Sequence, residues 1–306
     1  MSSALEASAS YEATLLGGLQ RQFTRPKPLP ANIKLDGQTA IVTGSNSGVG
    51  LEASRQLLGL HLSHLIMAVR SKASGEAAAK QLRQQFPDPR ITISVWDLDM
   101  ESRDSILQFV DRCATLSRID VVILNAAAVN TSYKPNPLTG HETTMQVNYL
   151  ATALLTILLL PILKSSNRKN NSSRPPVISL VGSDTMYSPD CFPKTKGPVL
   201  AQYDNKEKFD FFSWYASSKL LMVFFVSRLA ELVDPADVLI NVSNPGFTRQ
   251  SNLDRNATAG IRAVMKFFRF IIGRAVSASA SVYLDATLVR GPESHGSFIS
   301  DWAIKP

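Results

Sequence analysis

The 306-residue chain carries 32 Lys and Arg against 25 Asp and Glu, a net charge of +7, with 44% hydrophobic and 19% charged residues, a balance that excludes a disordered tail and can bury a core. Two cysteines, Cys113 and Cys191, cannot build a disulfide framework in a chain of this length, and four scattered histidines offer no paired ligand spacing, so a reduced compartment fits and no metal site is expected. The basic residues are dispersed apart from Lys164 to Arg174 (KSSNRKNNSSR), which reads as a solvated loop, so the charge bears on solubility and not on nucleic acid.

From the N-terminus, MSSALEASASYEA holds Glu6 and Glu12 and no long apolar run, so no secretory signal and a cytoplasmic location are expected. A Pro-punctuated leader, Arg25 to Pro30, follows. Short β-branched runs then alternate with longer helical patterns. Strands are expected at Thr39–Val42, Leu65–Val69, Ile91–Val95, Val121–Leu124, Val177–Val181 and Val238–Val242, and helices are expected to begin near Gly50, Gly75, Arg103, His141 and Phe211. That order is the pattern of βαβ units, and apolar strands without alternation mean a sheet covered on both faces. The expectation is an α/β fold, a doubly wound parallel sheet in a single domain over residues 36–306, with residues 1–35 an N-terminal extension.

Tyr149 to Leu163 (YLATALLTILLLPIL) is shorter than the roughly 20 residues a spanning helix needs, so it reads as a buried core helix and no transmembrane segment is expected. Two segments read as substrate loops, at about 184–210 and 247–275. A structureless stretch as long as the first is uncommon unless it binds something. Within the second, IRAVMKFFRFIIGR reads as a helix packing one face on the core, with contact to a membrane surface as the other reading.

The first strand leads into Thr43-Gly44-Ser45-Asn46-Ser47-Gly48-Val49-Gly50 and then a helix. Glycines permit a tight turn and close backbone approach, and the helix N-terminus offers unpaired N–H groups to a pyrophosphate. Gly44, Ser47, Gly48, Val49 and Gly50 are therefore dinucleotide-binding candidates.

This TGxxxGxG spacing resembles the short-chain dehydrogenase/reductase family, whose fold is the Rossmann type. The resemblance continues in family order. Asn125-Ala126-Ala127 stands where the family has Asn-Ala-Gly, Asn148 lies in the next helix, and Ser183 ends the fifth strand. Tyr215 to Lys219 supplies YxxxK, and Asn244-Pro245-Gly246 follows the sixth strand. The narrower features, Gly291 to Gly296 with SFISDW after it, are similar to fungal secondary-metabolism members, and retinol-dehydrogenase-like members are also similar.

A spacing of four puts Tyr215 and Lys219 on one helix face. A tyrosine with an ordinary pKa of about 10 is a poor base at neutral pH, so a neighbouring ammonium is needed to stabilise phenolate. The resemblance implies Tyr215 as general acid in carbonyl reduction, Ser183 polarising the carbonyl, Lys219 holding the nicotinamide ribose and Asn148 supporting a proton relay.

After the second strand, Arg70-Ser71-Lys72 carries no acid. An arginine there accommodates a 2′-phosphate, so NADP(H) is the expected cofactor, with Arg70 and Lys72 as its contacts; the plain alternative is a solvated loop. Asp97 matches the family's adenine-contacting position, or caps the next helix. Asn125 and Thr248 complete the cofactor set. Ala127 and Gly182 depart from the family's glycine and serine.

The expected activity is hydride transfer from NADPH to the ketone or aldehyde of an apolar small molecule in secondary-metabolite biosynthesis. Alcohol oxidation with NADP, or a non-catalytic NADP(H)-binding partner role, stay open as alternatives. Homo-oligomerisation through the 149–163 helix and the tyrosine-bearing helix is a further expectation of the resemblance.

Overall fold

The computed structural model describes residues 3–170, 174–188, 192, 197–249 and 259–306. Two short helices, α1 (Ser3–Glu12) and α2 (Leu15–Phe23), precede the first strand, β1 (Thr39–Thr43). There follow α3 (Gly48–Gly59), β2 (His64–Val69), α4 (Lys72–Gln85), β3 (Thr92–Asp97), α5 (Arg103–Ala114) and β4 (Val121–Leu124). Next, α6 (Thr143–Met145) runs through a π-helical turn, Gln146–Ala151, into α7 (Thr152–Asn170) and then β5 (Val177–Val181). The chain continues with α8 (Phe211–Ala230), β6 (Leu239–Asn244), α9 (Ala259–Ile272), α10 (Val276–Leu284), β7 (Phe298–Ser300) and β8 (Ala303–Lys305).

The strand order is β3-β2-β1-β4-β5-β6-β7-β8, all parallel except β8, which runs antiparallel to β7. The chain winds outward from β1 to β3, then restarts on β1's other side at β4, where Ile41 pairs with Val122. This reversal opens a crevice beyond the carboxyl ends of β1 and β4, the place where doubly wound sheets bind ligands.

Side chains alternate across the sheet into two cores. Ile41, Ile66, Val122, Ile178 and Ile240 pack on one face with α5, α7 and α8 residues. Ala40, Val42, Leu65, Met67, Val121 and Ile123 pack on the other with α3, α4 and α10 residues. Every residue of β1, β4, β5 and β6 is buried, which is why their sequences show no alternation. Helix starts are set by caps: Ser71, Ser102 and Asp210 each accept from the backbone N–H three residues on.

Leu155, Leu159 and Leu163 of α7 are fully buried at intervals of four, the core-helix arrangement expected for this apolar run. By length and composition the continuous helix Thr143–Asn170 could cross a membrane, but half of its most apolar window is covered by the fold.

Two departures from the expected layout bear on the site. SFISDW forms β7 and the turn to β8, strands of three residues that periodicity cannot register. The described residues of the N-terminal extension are tied to the rest of the fold. Arg21 pairs with Glu12 and with Asp184, Lys305 pairs with Glu12 at 2.8 Å, and Gln22 bonds to the backbone of Phe247 and Ile272. β7 also accounts for Gly182: a Cβ there would stand 2.7 Å from Val242 Cγ1 and 2.9 Å from Phe298 Cε2, so a serine would not fit.

Candidate active site

One cavity of about 700 Å³ occupies the crevice. Its polar end begins at the turn after β1. Gly44 and Gly48 adopt φ of +64° and +59°, a left-handed backbone that favours glycine. Beneath them a Cβ on Gly50 would approach Asn125 Nδ2 to 2.5 Å and Gly44 O to 2.8 Å. Asn125 fills that space, donating to Thr43 O at 2.9 Å and to Gly44 O at 3.3 Å, while Tyr283 of α10 donates to Asn125 Oδ1 at 3.2 Å. Ser47 stands at the N-cap of α3 with no side-chain cap bond, so the first amides of α3 face the cavity without an intrahelical partner. A side-chain-free cradle against a helix N-terminus is what a pyrophosphate requires, and the residues present fit a nicotinamide dinucleotide.

Gly44, Ser47, Gly48, Val49, Arg70, Asn125 and Thr248 all line the cavity, and Gly50 lies buried under its floor. Arg70 is half exposed and bonds Glu101 at 2.8 Å; Lys134 reaches the same carboxylate at 3.7 Å. Ser71, Ser74 and Asn46 stand beside it, with Asn46 Nδ2 donating to Ser74 Oγ at 3.1 Å.

Two expected cofactor contacts fall outside the cavity lining. Lys72, the first residue of α4, is exposed and does not line the cavity; Ser71 and Ser74 occupy that edge instead. Asp97, the last residue of the edge strand β3, is also exposed and does not line the cavity. The chain folds over the sheet edge after β3, so Leu98, Asp99, Met100 and Glu101 line the cavity.

At the other end, Ser183, Tyr215 and Lys219 converge on the cavity from β5 and α8. Lys219 Nζ donates to Val181 O at 2.8 Å and lies 5.7 Å from the Tyr215 ring centroid. Burial pulls the Lys219 ammonium down to about 7. Removal from bulk water pushes the Tyr215 phenol up to about 12, opposed by its hydrogen bond to Ser183. The phenol is therefore neutral at pH 7 and poised to donate a proton. Ser183 Oγ also accepts from Thr185 Oγ1 at 3.0 Å, which aims its own hydrogen elsewhere.

Asn148 does not line the cavity. It sits in the π-turn, 1% exposed, accepting from Ala128 N at 2.8 Å and donating to Ala128 O at 2.9 Å and Ser218 Oγ at 3.3 Å. It thus joins the segment after Asn125 to the helix bearing Tyr215. Thr248 is buried and paired with Ser279 Oγ at 2.8 Å.

The two expected substrate loops are described in part. From the first, Asp184 and Thr185 reach the cavity, whereas Leu200–Asp204 packs away from it: Tyr203 meets Trp214, and Asp204 bonds His141 and Glu142 N at the start of α6. Phe211 and Phe212, at the start of α8, line the cavity. From the second, Phe247, Arg269 and Ile272 line it. Residues 189–191, 193–196 and 250–258 of these loops, with Cys191, lie outside the described residues. Sequence reasoning missed Leu15, Gly18, Leu19 and Gln22 of α2, and Tyr283, all of which line the cavity. For α2 the signal was present, because those four positions form one helix face.

A family model described as short chain dehydrogenase matches residues 38–173. Short chain dehydrogenase virL of Hypocrea virens is 57% identical over 306 residues, covering 100% of this chain and 88% of that one. Short chain dehydrogenase opdN of Penicillium oxalicum is 42% identical and covers 100% of both chains. Among solved structures, salutaridine reductase from Papaver somniferum superposes with a TM-score of 0.64 at 16% identity, over 86% of this chain and 99% of that one. A short-chain dehydrogenase from Sphingobium yanoikuyae, in complex with NADPH, superposes with a TM-score of 0.61 at 17% identity, over 81% and 83%.

Proposed function

The chain belongs to the short-chain dehydrogenase/reductase family, and from that premise we propose that it is an NADP(H)-dependent reductase of a ketone or aldehyde on an apolar small molecule. The observation that carries this reading is the single cavity in which the glycine cradle meets Ser183, Tyr215 and Lys219. NADPH, when bound, supplies the hydride; the chain positions it and manages the proton.

Ser183 and Tyr215 act together on the carbonyl oxygen. Both hydroxyls converge there, so charge developing on that oxygen meets two donors, and Tyr215 delivers the proton. Reduction needs a protonated phenol, and the upward shift of Tyr215 keeps it protonated at neutral pH. Lys219 is fixed by Val181 O one helical turn from Tyr215 and retains further donor capacity toward the ribose. Arg70, with Ser71 and Ser74, supports selection of a 2′-phosphate. Apolar walls from Val129, Phe211, Phe212 and Phe247 support an apolar substrate.

A secondary-metabolite pathway in the cytoplasm is the setting proposed, with fungal relatives supporting the first part. Exposed Ile157 on α7 and Phe224 on α8 support a homo-oligomer through those helices, to be checked by sedimentation. The activity is tested by following NADPH oxidation with a panel of carbonyl compounds. Tyr215→Phe is expected to lower kcat by 10² to 10⁴, roughly the range of lost general acid catalysis, while NADPH still binds. Absence of turnover across the panel, with NADPH binding intact, would leave a non-catalytic binding role.

A further inference from the structure

α2 turns Leu15, Gly18, Leu19 and Gln22 toward the cavity, a single helix face. Several of its anchors lie near Ser183 and in the segments after β6 and α9. Arg21 pairs with Asp184, and Gln22 accepts from Phe247 N at 2.9 Å while donating to Phe247 O at 2.8 Å and Ile272 O at 2.7 Å. The helix is therefore tied to the residue after Ser183 and to the chain that follows β6.

The two glycines of α2 answer different needs. At Gly17 a Cβ would stand 2.4 Å from Tyr11 O, so the turn from α1 admits no side chain. At Gly18, among the described residues, a Cβ would meet only Arg21 Nη2, at 3.7 Å, an ordinary contact, and φ is not left-handed. Neither packing nor backbone geometry requires glycine there, although glycine weakens a helix interior. What the missing side chain creates is open space in a cavity wall. Val129, Phe211, Phe212 and Phe247 give the same cavity apolar and aromatic surface.

We propose that α2 is the substrate-selecting wall of this site and that Gly18 is its specificity-determining position, leaving room for a flat, ring-bearing apolar portion of the substrate beside the reacting carbonyl. The inference rests on the carbonyl-reductase reading and deepens it.

The test compares the wild-type chain with Gly18→Ala and Gly18→Leu, using 2-acetylnaphthalene and 2,3-butanedione as probes with NADPH. Both substitutions favour the helix, and an unchanged or raised unfolding midpoint verifies that α2 is kept. Gly18→Leu is expected to lower the ratio of kcat/KM for the naphthyl ketone over butanedione at least tenfold, and Gly18→Ala to lower it less. A ratio that stays constant, with both values unchanged or falling together, overturns the wall and leaves the reductase standing.

Calorimetric titration of 2-acetylnaphthalene into NADP⁺-loaded protein needs no turnover. If the wild-type chain binds the ketone, Gly18→Leu weakens it tenfold, and neither chain oxidises NADPH, the wall stands and the reductase reading falls. A wild-type chain that neither binds nor reduces the naphthyl ketone overturns the proposal.

Discussion

Arg21 Nε lies 3.2 Å from a carboxylate oxygen of Asp184, tying a helix near the N-terminus to the residue that follows Ser183. The guanidinium is nearly sealed from solvent, also bonds Glu12, and lies 4.7 Å over the Tyr187 ring. Burial works against charge on Glu12, yet hydrogen bonds from Lys305 and Arg21 hold its carboxyl below the usual range. Burial alone would lower Arg21, but Asp184 and Glu12 raise it. Arg274 extends the cluster by donating to the backbone oxygen of Arg21.

Removing Arg21 leaves two carboxylates short of a partner in a covered site. Arg21→Met is expected to destabilise the fold by about 3 kcal/mol, the usual loss when one partner of a buried ion pair is removed. Arg21→Lys keeps the charge without the fork and should fall between. Urea unfolding measures both; a loss below about 0.5 kcal/mol for Arg21→Met would mean that α2 is held by Gln22 and apolar contact instead.

Arg70 shares its guanidinium with Glu101 while standing half exposed at the cofactor end of the cavity. On the proposed NADP(H) reading, a 2′-phosphate competes with that carboxylate for the same donors. Arg70→Ala is therefore expected to lower the ratio of kcat/KM for NADPH over NADH by about tenfold or more, since hydrogen bonds to charged groups contribute about 1.5–3 kcal/mol. Glu101→Gln should move the ratio the other way, because the arginine no longer has a rival anion. Steady-state kinetics with both cofactors decides it, and an unmoved ratio in both variants removes Arg70 from cofactor selection.

Much of this site was legible because its signals are local. The glycine turn, the strand before it and the helix after it are consecutive, and Tyr215 and Lys219 share a face by spacing alone. Ser183 and Asn244 end strands whose apolar runs are plain. The rest depends on contacts between distant segments. Periodicity reveals that α2 has a face, but not that Gln22 will meet Phe247, 225 residues away. Gly182 looked like a neutral departure from serine until β7, too short to register, brought Phe298 against it. Asn148 sat in the expected helix, yet only the π-turn shows that its side chain grips Ala128 instead of facing the cavity.

Asp97 and Asp99 offer a paired test of where β3 ends. Asp99 lines the cavity, and its Oδ1 accepts from Glu101 N at 2.9 Å, shaping the edge on which Arg70's partner sits. Asp97 is exposed at the sheet edge. Asp99→Ala is expected to raise the KM for NADPH about tenfold, through loss of a charge-assisted hydrogen bond and of the loop it shapes. Asp97→Ala should change it less than twofold and stability by less than about 0.5 kcal/mol, as for an ordinary surface position. The opposite ranking, read from NADPH saturation curves, would place Asp97 at the adenine.

Lys219 gives the site a pH signature of its own. Its ammonium is drawn from an ordinary 10.5 down to about 7 by burial, so between these values the unfolded chain binds a proton that the ligand-free fold does not. Where the unfolded state holds more protons, stability rises with pH, and below the folded pKa the group contributes no further slope. The ligand-free protein is therefore expected to gain unfolding free energy from this residue as pH climbs from about 7 toward 10, with the gain absent below 7. Lys219→Met lacks the titrating group and should flatten that rise without abolishing the fold, because its chain still fills the space beneath Val181. Urea unfolding of both proteins across pH 6 to 10 isolates the contribution as a difference, and parallel curves would show that Lys219 keeps its proton inside the fold throughout.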